Sequence, residues 1–325
     1  MTRHDIAFIG LPGGGLHGIR LLNAVRNGWD LARATFVARR HLRRERPSAI
    51  LTTGGYVSGP VALAARWAGT PLMVFLPDVE PAQSVRFVGT MAQRVATTVE
   101  ASTSYFAGDK AVVTGYPLGP RVTEWDREQG REALELPADA RVLLVFGGSR
   151  GARSINRALT ANVDALIEWA HVVHIPGTRD WPEVEAVREA MSEATLERYR
   201  AFSYLHDRMG AALAAADLVI SRSGAGTLGE FPYFGLPAIL VPYPYAWRYQ
   251  KVNAQWLVDR GAAVIVQDAD LEAQMVPMVG ELFEDDAQLA EMSRAARSLA
   301  RPDAAKRVAE HLLDLAQKGG RRGTS

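Results

Sequence analysis

The segment SRSGAGTLGE at residues 221–230 carries the clearest chemical signal in the chain. It directly follows an apolar run, so the pattern predicts a buried strand, a tight glycine turn and a helix beginning near Thr227. A helix N-terminus offers free backbone N–H groups and a positive dipole end, which favour a bound diphosphate. Glu230 lies one turn into that helix, where its carboxylate can accept hydrogen bonds from ribose hydroxyls. The segment indicates a nucleotide site; the alternative is an ordinary strand–helix turn with a solvent-facing glutamate.

Two further glycine turns follow predicted strands. Residues 147–152 come after the apolar run 142–146 and could direct backbone N–H groups and the Ser149 hydroxyl toward an anion. Residues 54–60 follow the run 49–52 in the first half of the chain. Each turn alone is weak evidence, but three strand–glycine–helix junctions together predict a ligand held between two α/β domains.

The composition narrows the classes of protein to which this chain can belong. It has 325 residues, with 37 Lys and Arg against 36 Asp and Glu, and so lacks the global positive field that favours nucleic acid. The absence of cysteine excludes disulfides, thiolate metal sites and a cysteine nucleophile. No apolar stretch approaches the ~20 residues of a membrane span, and the first residues lack a signal-peptide core. We expect a cytoplasmic protein with no nucleic-acid partner.

Short apolar runs alternate with helical patterns throughout, and most runs are apolar on both faces, as in a parallel sheet covered by helices. The pattern predicts strands at residues 6–9, 49–52, 72–75, 94–98, 111–114, 142–146, 171–174, 218–220, 238–241 and 263–266. The fold class is therefore α/β, with two doubly wound, Rossmann-like domains. We place the domains at residues 1–130 and 131–318, with a disordered tail at 319–325 and a last helix that is a candidate for packing back on the first domain.

Four segments occur in an informative order: residues 54–60, residues 147–152, residues 222–230 and the run Gln250-Lys251-Val252-Asn253-Ala254. In this order they resemble the motifs of the lipid-II-forming N-acetylglucosaminyltransferases of bacterial cell-wall synthesis, the MurG type of glycosyltransferase family 28. The closing segment at residues 302–309 is similar to that family's last helix. The resemblance extends from the region of Gly10 to the end of the chain.

The resemblance implies a GT-B fold and an inverting, metal-independent transfer of N-acetylglucosamine from UDP. The implied acceptor is an undecaprenyl-diphosphate-linked muramyl pentapeptide at the inner membrane face, so that lipid I becomes lipid II. UDP-GlcNAc is implied as the substrate, with no cofactor. Matched motif by motif, the implied donor-binding residues are Ser149, Leu205, His206, Arg222, Ser223, Gly224, Ala225, Gly226, Thr227, Leu228, Glu230, Gln250 and Asn253. The implied acceptor-binding residues are Gly54, Gly55, Tyr56, Ser58 and Arg121.

Three polar positions have structural alternatives. Arg222 could add positive charge beside the diphosphate, and an internal ion pair explains it equally well. Gln250 offers both donors and an acceptor to sugar hydroxyls, or else is an exposed polar residue on a helix. Asp268-Ala269-Asp270 matches the short DxD of metal-dependent transferases, but its place after a predicted strand favours a helix cap. We therefore predict no metal site.

The chain departs from the family pattern at two places. The family begins with another strand and a glycine-rich loop containing a histidine, and residues 13–18 lie too close to Gly54 to be that loop. We interpret the first domain as truncated, lacking that strand and loop, with a partner chain as one way of supplying them. Residues 76–81 stand where the family has a His-Glu-Gln-Asn run, with Asp78 at the Asn position. Asp78 is a candidate general base, or else a strand-end capping residue.

A dense basic run at residues 39–46 lies on a predicted helix with Leu21, Leu22, Val25 and Trp29 upstream. Such a helix can rest on the anionic inner face of the plasma membrane, and the alternative is a solvated face above a core stripe. We expect a peripheral protein that uses a lipid-linked acceptor. Two alternatives stay open: a related transferase acting on another lipid such as diacylglycerol, or a nucleotide-sugar-binding protein that is inactive alone or needs a partner chain.

Overall fold

The chain divides into two units in a computed structural model that describes residues 8–11, 21–55, 57–148, 151–245 and 249–321. Unit 1 comprises residues 1–114 and 306–325, and unit 2 comprises residues 115–305. Each unit is built on one parallel sheet. None of the described helices is long and apolar enough to cross a membrane.

Unit 1 contains four parallel strands in the order β1-β2-β3-β4. The strands are Ile50–Thr52 (β1), Leu72–Leu76 (β2), Arg94–Thr97 (β3) and Ala111–Val113 (β4). The helices are Leu21–Glu45 (α1), Ser58–Ala68 (α2), Gln83–Met91 (α3) and Ala304–Arg321 (α14), with 3₁₀ turns at Glu100–Tyr105 and Gly108–Lys110. Leu72, Val74, Val85 and Val95 belong to its buried core. All five residues of β2 are buried, as expected for a strand that is covered on both faces.

Unit 2 contains six parallel strands in the order β10-β9-β8-β5-β6-β7. They are Val142–Phe146 (β5), His171–Ile175 (β6), Tyr199–Ala201 (β7), Leu218–Ser221 (β8), Ala238–Leu240 (β9) and Ala263–Ile265 (β10). The helices are Pro120–Thr123 (α4), Arg127–Ala133 (α5), Arg153–Leu166 (α6), Trp181–Glu189 (α7), Glu193–Arg198 (α8), Met209–Ala215 (α9), Thr227–Phe234 (α10), Tyr249–Val258 (α11), Leu271–Glu284 (α12) and Asp286–Ser298 (α13), with a 3₁₀ turn at His206–Arg208.

The order of the strands in unit 2 reverses at β5, which pairs with β6 on one side and with β8 on the other. In an open parallel sheet, ligands bind outside the carboxyl ends of the strands at such a switch point. Phe146 at the end of β5 lies opposite Ser221 at the end of β8. The two glycine segments that follow these strands therefore begin side by side.

Nine of the predicted strands match observed ones to within a residue or two. The first prediction, at residues 6–9, lies mostly outside the described residues, and Phe8 and Ile9 have no regular structure. The edge strand β7 was not predicted, because Tyr199–Ala201 is three residues long and carries Arg200 in its centre. The helix expected near Thr227 begins at that residue.

The structure places the boundary between the two units earlier in the chain than residue 130. Residues 115–130 belong to unit 2 because helices α4 and α5 pack closely on α9. A Cβ atom on Gly130 would lie 2.5 Å from the Ala211 carbonyl oxygen, so only glycine permits this approach. The chain returns to unit 1 at Lys306, within α14.

The predicted disordered tail also begins too early. Helix α14 continues through Arg321, and residues 322–325 lie outside the described part. The helix is held against unit 1, where Asp314 approaches Arg94 to 3.7 Å. A Cβ atom on Gly319 would lie 2.6 Å from Cγ of Pro71, which shows how closely the end of the helix is packed.

Candidate active site

An open cleft of about 1170 Å³ lies in unit 2, at the carboxyl edge of its sheet. It opens at the switch point between β5 and β8, where the two glycine segments meet. The residues that line it include Tyr116, Gly147, Gly148, Gly151, Arg153, Ser154, Arg179, Asp180, Arg222, Gly224, Gly226, Thr227, Glu230, Tyr243, Gln250 and Asp268. The structure thus brings part of the 221–230 segment together with glycines of the 147–152 turn and with Gln250.

The N-terminus of α10 faces this cleft. In this turn the Thr227 amide donates to the Gly224 carbonyl at 3.0 Å. The Thr227 hydroxyl donates to the same carbonyl at 2.7 Å and fixes the turn. Amides that precede the first turn of a helix have no intrahelical acceptor. Gly224 and Gly226 therefore present amides and a positive dipole end to any anion in the cleft.

Glu230 lies on the first turn of α10, with its carboxylate folded back over Gly226. A Cβ atom on Gly226 would lie 3.3 Å from both carboxylate oxygens, so glycine gives the carboxylate room at this position. Burial raises the pKa of Glu230 above its ordinary value. No ion pair accompanies this carboxylate among the residues that the structure describes, and its oxygens can serve as hydrogen-bond acceptors for sugar hydroxyls.

The buried Arg222 side chain is held by an internal network. Its Nη1 atom lies 2.5 Å from Oδ1 of Asp268 and donates to the Val241 carbonyl at 3.0 Å. Its Nη2 atom donates to the Ser154 hydroxyl at 2.7 Å, and Ser154 donates to the same Asp268 oxygen. The ion-pair alternative for Arg222 is the one that the structure shows. The DxD aspartate Asp268 is the partner, which ties the end of β10 to the end of β8.

The glycines of the 147–152 turn are each needed for its shape. A Cβ atom on Gly147 would overlap the Ala152 amide nitrogen, and Gly148 has a φ of +83°. Gly151 has a φ of +72° and donates its N–H to the Gly148 carbonyl at 2.9 Å. Helix α6 begins directly after this turn. Ser149 lies outside the described residues, so its predicted contact with a phosphate stays a prediction.

Gln250 and Asn253 on α11 brace the 221–230 segment from behind. The Ser223 hydroxyl donates to the Gln250 carbonyl at 2.8 Å, and the buried Asn253 amide donates to the Ser223 carbonyl at 3.2 Å. The Gln250 side-chain oxygen accepts the Tyr243 N–H at 2.8 Å while the residue still lines the cleft. Ser223, Leu228 and Asn253 are buried and do not line the cleft, so their position fits support of the turn.

Leu205, His206 and Arg121 are not among the residues that line the cleft. Leu205 is buried at the start of a 3₁₀ turn, and His206 is exposed with a φ of +44°. Arg121 belongs to unit 2, where it forms an exposed 2.6 Å ion pair with Asp207. Their predicted roles with uracil and acceptor stay predictions.

Three of the residues predicted for the acceptor side, Gly54, Gly55 and Ser58, form a turn in unit 1. Gly54 and Gly55 have φ values of +93° and +88°, so both need glycine. The buried Ser58 hydroxyl donates to the Gly54 carbonyl at 2.5 Å and lies 2.6 Å from the Thr52 hydroxyl. Ser58 therefore shapes the turn from inside. Tyr56 lies outside the described residues.

Asp78 follows β2 and is half-buried. Its backbone carbonyl accepts a hydrogen bond from the Ser102 hydroxyl at 3.3 Å, which anchors the loop after the strand. The neighbouring Glu80 is buried and pairs with Arg86 at 3.3 Å. The loop is thus fixed in place at the carboxyl end of a core strand. No group of three or more His, Cys, Asp or Glu suited to a metal ion occurs in the described part of the chain.

Several cleft residues were not predicted from the sequence. Tyr116 packs on α10: a Cβ atom placed on Gly229 would lie 2.5 Å from the Cβ atom of Tyr116. Asp180 and Tyr243 each follow the end of a sheet strand, which is the signal that could have found them. Arg153 and Arg179 add positive charge at the rim, and Arg153 approaches Asp180 to 3.6 Å.

Two α/β units with parallel sheets, the second with a helix N-terminus and a carboxylate in a cleft at the switch point of its sheet, have the architecture of GT-B enzymes. The glycosyltransferase family 28 C-terminal domain matches residues 142–308, and the N-terminal domain of the same family matches residues 1–97. The chain belongs to glycosyltransferase family 28.

Curated relatives cover most of the chain. One from Roseiflexus sp. (strain RS-1) is 39% identical over 342 residues, which cover 94% of this chain and 77% of the relative. Another from Desulforudis audaxviator (strain MP104C) is 39% identical over 290 residues, covering 87% and 76%. Both are named UDP-N-acetylglucosamine--N-acetylmuramyl-(pentapeptide) pyrophosphoryl-undecaprenol N-acetylglucosamine transferase.

Solved structures confirm the fold. MurG of Acinetobacter baumannii matches with a TM-score of 0.72 at 24% identity, covering 96% of this chain and 86% of that one. A UDP-GlcNAc 2-epimerase from Neisseria meningitidis matches with a TM-score of 0.67 at 14% identity, covering 87% and 82%. Because a transferase and an epimerase share this fold, the fold does not select the reaction. The reaction is therefore assigned from the family membership and from the residues of the cleft.

Proposed function

We infer that the chain transfers N-acetylglucosamine from UDP-GlcNAc to an undecaprenyl-diphosphate-linked muramyl pentapeptide, the step that converts lipid I to lipid II. This is the reaction for which the Roseiflexus and Desulforudis relatives are named. The structural observation that carries the inference is the α10 terminus, where a glycine turn opens on the cleft and Glu230 folds back over Gly226.

The donor is held by α10 and its neighbours in this proposal. The amides of residues 224–226 bind the diphosphate, and the Glu230 carboxylate accepts hydrogen bonds from the ribose hydroxyls. Gln250 forms hydrogen bonds with sugar hydroxyls in the same cleft, while Ser223 and Asn253 stabilise the turn at residues 223–226. Ser149 adds a hydroxyl to a phosphate, and Leu205 with His206 lies beside the uracil. Arg222 orients Tyr243, whose ring lies 5.2 Å below the guanidinium.

The transfer inverts the anomeric centre in one displacement. The acceptor oxygen attacks the anomeric carbon as its proton passes to a base, and the bond to the UDP oxygen breaks. Negative charge then develops on UDP, where the fixed dipole of α10 stabilises it. We propose that no cofactor takes part, so activity should be unchanged after prolonged treatment with a chelator; a loss that Mg²⁺ or Mn²⁺ restores would contradict this.

The acceptor side belongs to unit 1 in this proposal. Residues 54–58 bind the acceptor, with Arg121 of unit 2 as an additional contact, and Asp78 serves as the general base. Asp78 suits the task because it follows a core strand on an anchored loop. Asp78→Asn should reduce kcat by ~100-fold or more while the Kd for UDP stays unchanged. Unchanged turnover would exclude Asp78 as the base.

The decisive experiment measures UDP release by the purified chain with UDP-GlcNAc and a short-chain lipid I analogue. Release that depends on this acceptor, with lipid II as the product, supports the proposal. Release with diacylglycerol instead would identify a different acceptor. Tight UDP-GlcNAc binding without release would mean that the chain binds nucleotide sugars but needs a partner chain for turnover, which mixing with a cell extract would reveal.

We also propose that the protein works at the cytoplasmic face of the plasma membrane through α1. The exposed side chains of Trp29, Arg33, Phe36, Arg40 and Arg43 share one face of this helix. Ala34, Thr35 and Ala38 are buried on the opposite face. Aromatic and basic residues on one exposed face favour contact with anionic headgroups.

A further inference from the structure

A continuous chain of buried polar side chains connects the centre of unit 2 with the 147–152 turn. The Tyr199 hydroxyl lies 2.7 Å from Nδ1 of His174, and Nε2 of His174 lies 3.1 Å from Oδ1 of Asn156. The Asn156 amide nitrogen donates to Oδ2 of Asp180 at 2.9 Å and to the Pro176 carbonyl at 3.1 Å. All four side chains are at most 5% exposed. We call Tyr199, His174, Asn156 and Asp180 the polar chain.

Only one arrangement of protons satisfies every member of the polar chain. The Asn156 nitrogen faces two acceptors, so its oxygen must face His174 and accept a hydrogen bond. Nε2 of His174 therefore carries the proton, and Nδ1 accepts the Tyr199 O–H. Burial lowers the pKa of His174 to about 3, which keeps the ring neutral. The carboxylate of Asp180 thus fixes the orientation of Asn156, and through it the orientations of His174 and Tyr199.

The glycine turn lies directly on the outer end of the polar chain. A Cβ atom on Gly151 would lie 2.5 Å from the Pro176 carbonyl oxygen and 3.3 Å from Oδ2 of Asp180. Asn156 holds both of these oxygens through a single amide group. The Asn156 N–H also donates to the Ala152 carbonyl at 2.9 Å, at the start of α6. A displacement of Asn156 would therefore move the surface on which the turn rests.

We propose that the polar chain positions the 147–152 turn for a nucleoside diphosphate, with Asn156 and His174 as positioning residues for donor binding. The proposal rests on the proposed function only in that the cleft binds UDP-GlcNAc. A shift of a binding group by about 1 Å can reduce activity by ~100-fold, so the position of the turn matters for affinity as well as for folding.

The test compares Asn156→Leu and His174→Leu with the conservative variant His174→Gln. A glutamine amide can donate to Asn156 and accept from Tyr199, so it preserves both links. Asn162→Leu is the matched control: it lies on the same helix, and its amide donates to the Ala158 and Glu272 carbonyls at 2.8 and 3.1 Å, away from the turn. Calorimetric titration with UDP-GlcNAc gives both the Kd and the fraction of molecules that bind.

We expect Asn156→Leu and His174→Leu to raise the Kd by ~10-fold or more, His174→Gln to restore most of the affinity, and Asn162→Leu to retain it. A role in folding alone would lower the binding fraction and the Tm but leave the Kd unchanged, and this result would overturn the proposal.

The unaltered chain is titrated first. If it does not bind UDP-GlcNAc, the proposed function fails; if it binds and the variants bind equally well, only the polar-chain proposal fails.

Discussion

Glu230 is the residue at which binding and stability are expected to oppose each other. Burial desolvates its carboxylate in the free protein, and ribose hydroxyls would donate hydrogen bonds to it in the complex. Hydrogen bonds to a charged group contribute about 1.5–3 kcal/mol. We therefore expect Glu230→Gln to weaken UDP binding by ~10- to 100-fold at neutral pH, measured by titration calorimetry.

The same substitution should stabilise the free protein. Because burial raises the pKa of Glu230, the folded state disfavours the charged carboxylate, and this cost is present above the raised pKa. Glu230→Gln should therefore have the higher Tm at neutral pH, with the difference disappearing below pH 4.5, the ordinary value. A lower Tm at neutral pH would contradict this account of the carboxylate.

His174 should make the free energy of unfolding depend on pH. Its pKa is about 3 in the folded state against an ordinary value of 6.5, so the unfolded chain binds a proton that the folded chain rejects. Stability from this group is fully present above pH 6.5 and is lost as the pH falls toward 3. Relative to His174→Gln, the unaltered chain should lose about 1.4 kcal/mol per pH unit in this range. Urea denaturation at several pH values measures the difference, and parallel curves would contradict it.

At the scale of the elements, the sequence predicts best what is decided locally. The run Val142–Phe146 is apolar at every position because every position is buried, so its strand could be placed from composition alone. The start of α10 could be placed because a glycine turn follows such a run. Edge strand β7 could not, since Arg200 interrupts its three residues.

Side-chain partners are the part that the sequence could not provide. Asp268 resembles a metal ligand in the one-letter code, yet it pairs with Arg222 from a different strand end. His174 and Asn156 lie on neighbouring elements, β6 and α6, and nothing in their local sequence marks them as partners. Such pairs depend on how strands and helices are ordered in the sheet, which the sequence specifies only through the complete fold.

Helix packing predicts unequal effects of one substitution at two positions, Gly130 in unit 2 and Gly59 in unit 1. Gly130→Ala places a methyl group 2.5 Å from the Ala211 carbonyl and should destabilise by about 1–3 kcal/mol. Gly59→Ala, in the first turn of helix α2, meets no atom within 4 Å and should change the free energy of unfolding by about 0.5 kcal/mol or less. Scanning calorimetry compares the two variants, and an equally small effect of both would mean that α5 and α9 are not in close contact.

At the scale of the whole molecule, charge is almost balanced but unevenly distributed. The net charge is +1, so no general attraction draws the protein to an anionic surface. Helix α1 nevertheless ends in a dense basic run, and its exposed face also carries Trp29 and Phe36, which are 73% and 67% exposed. Trp67 on α2 is 60% exposed and lies under the Arg39 guanidinium at 5.7 Å. Local charge beside exposed aromatic rings predicts binding that is both electrostatic and apolar.

Vesicle binding by two pairs of variants separates this local effect from net charge. Arg40→Gln with Arg43→Gln on α1 and Arg188→Gln with Arg294→Gln in unit 2 both change the net charge from +1 to −1 (1 − 2 = −1). Only the α1 pair should weaken binding to phosphatidylserine vesicles at low salt, by ~30-fold at about 1 kcal/mol per residue. The difference should shrink in 0.5 M salt, since screening shortens the reach of each charge.

Trp29→Ser with Phe36→Ser should weaken binding at both salt concentrations, because apolar contact is not screened. An equal loss from the two arginine pairs would mean that net charge, and not the exposed face of α1, governs contact with the membrane.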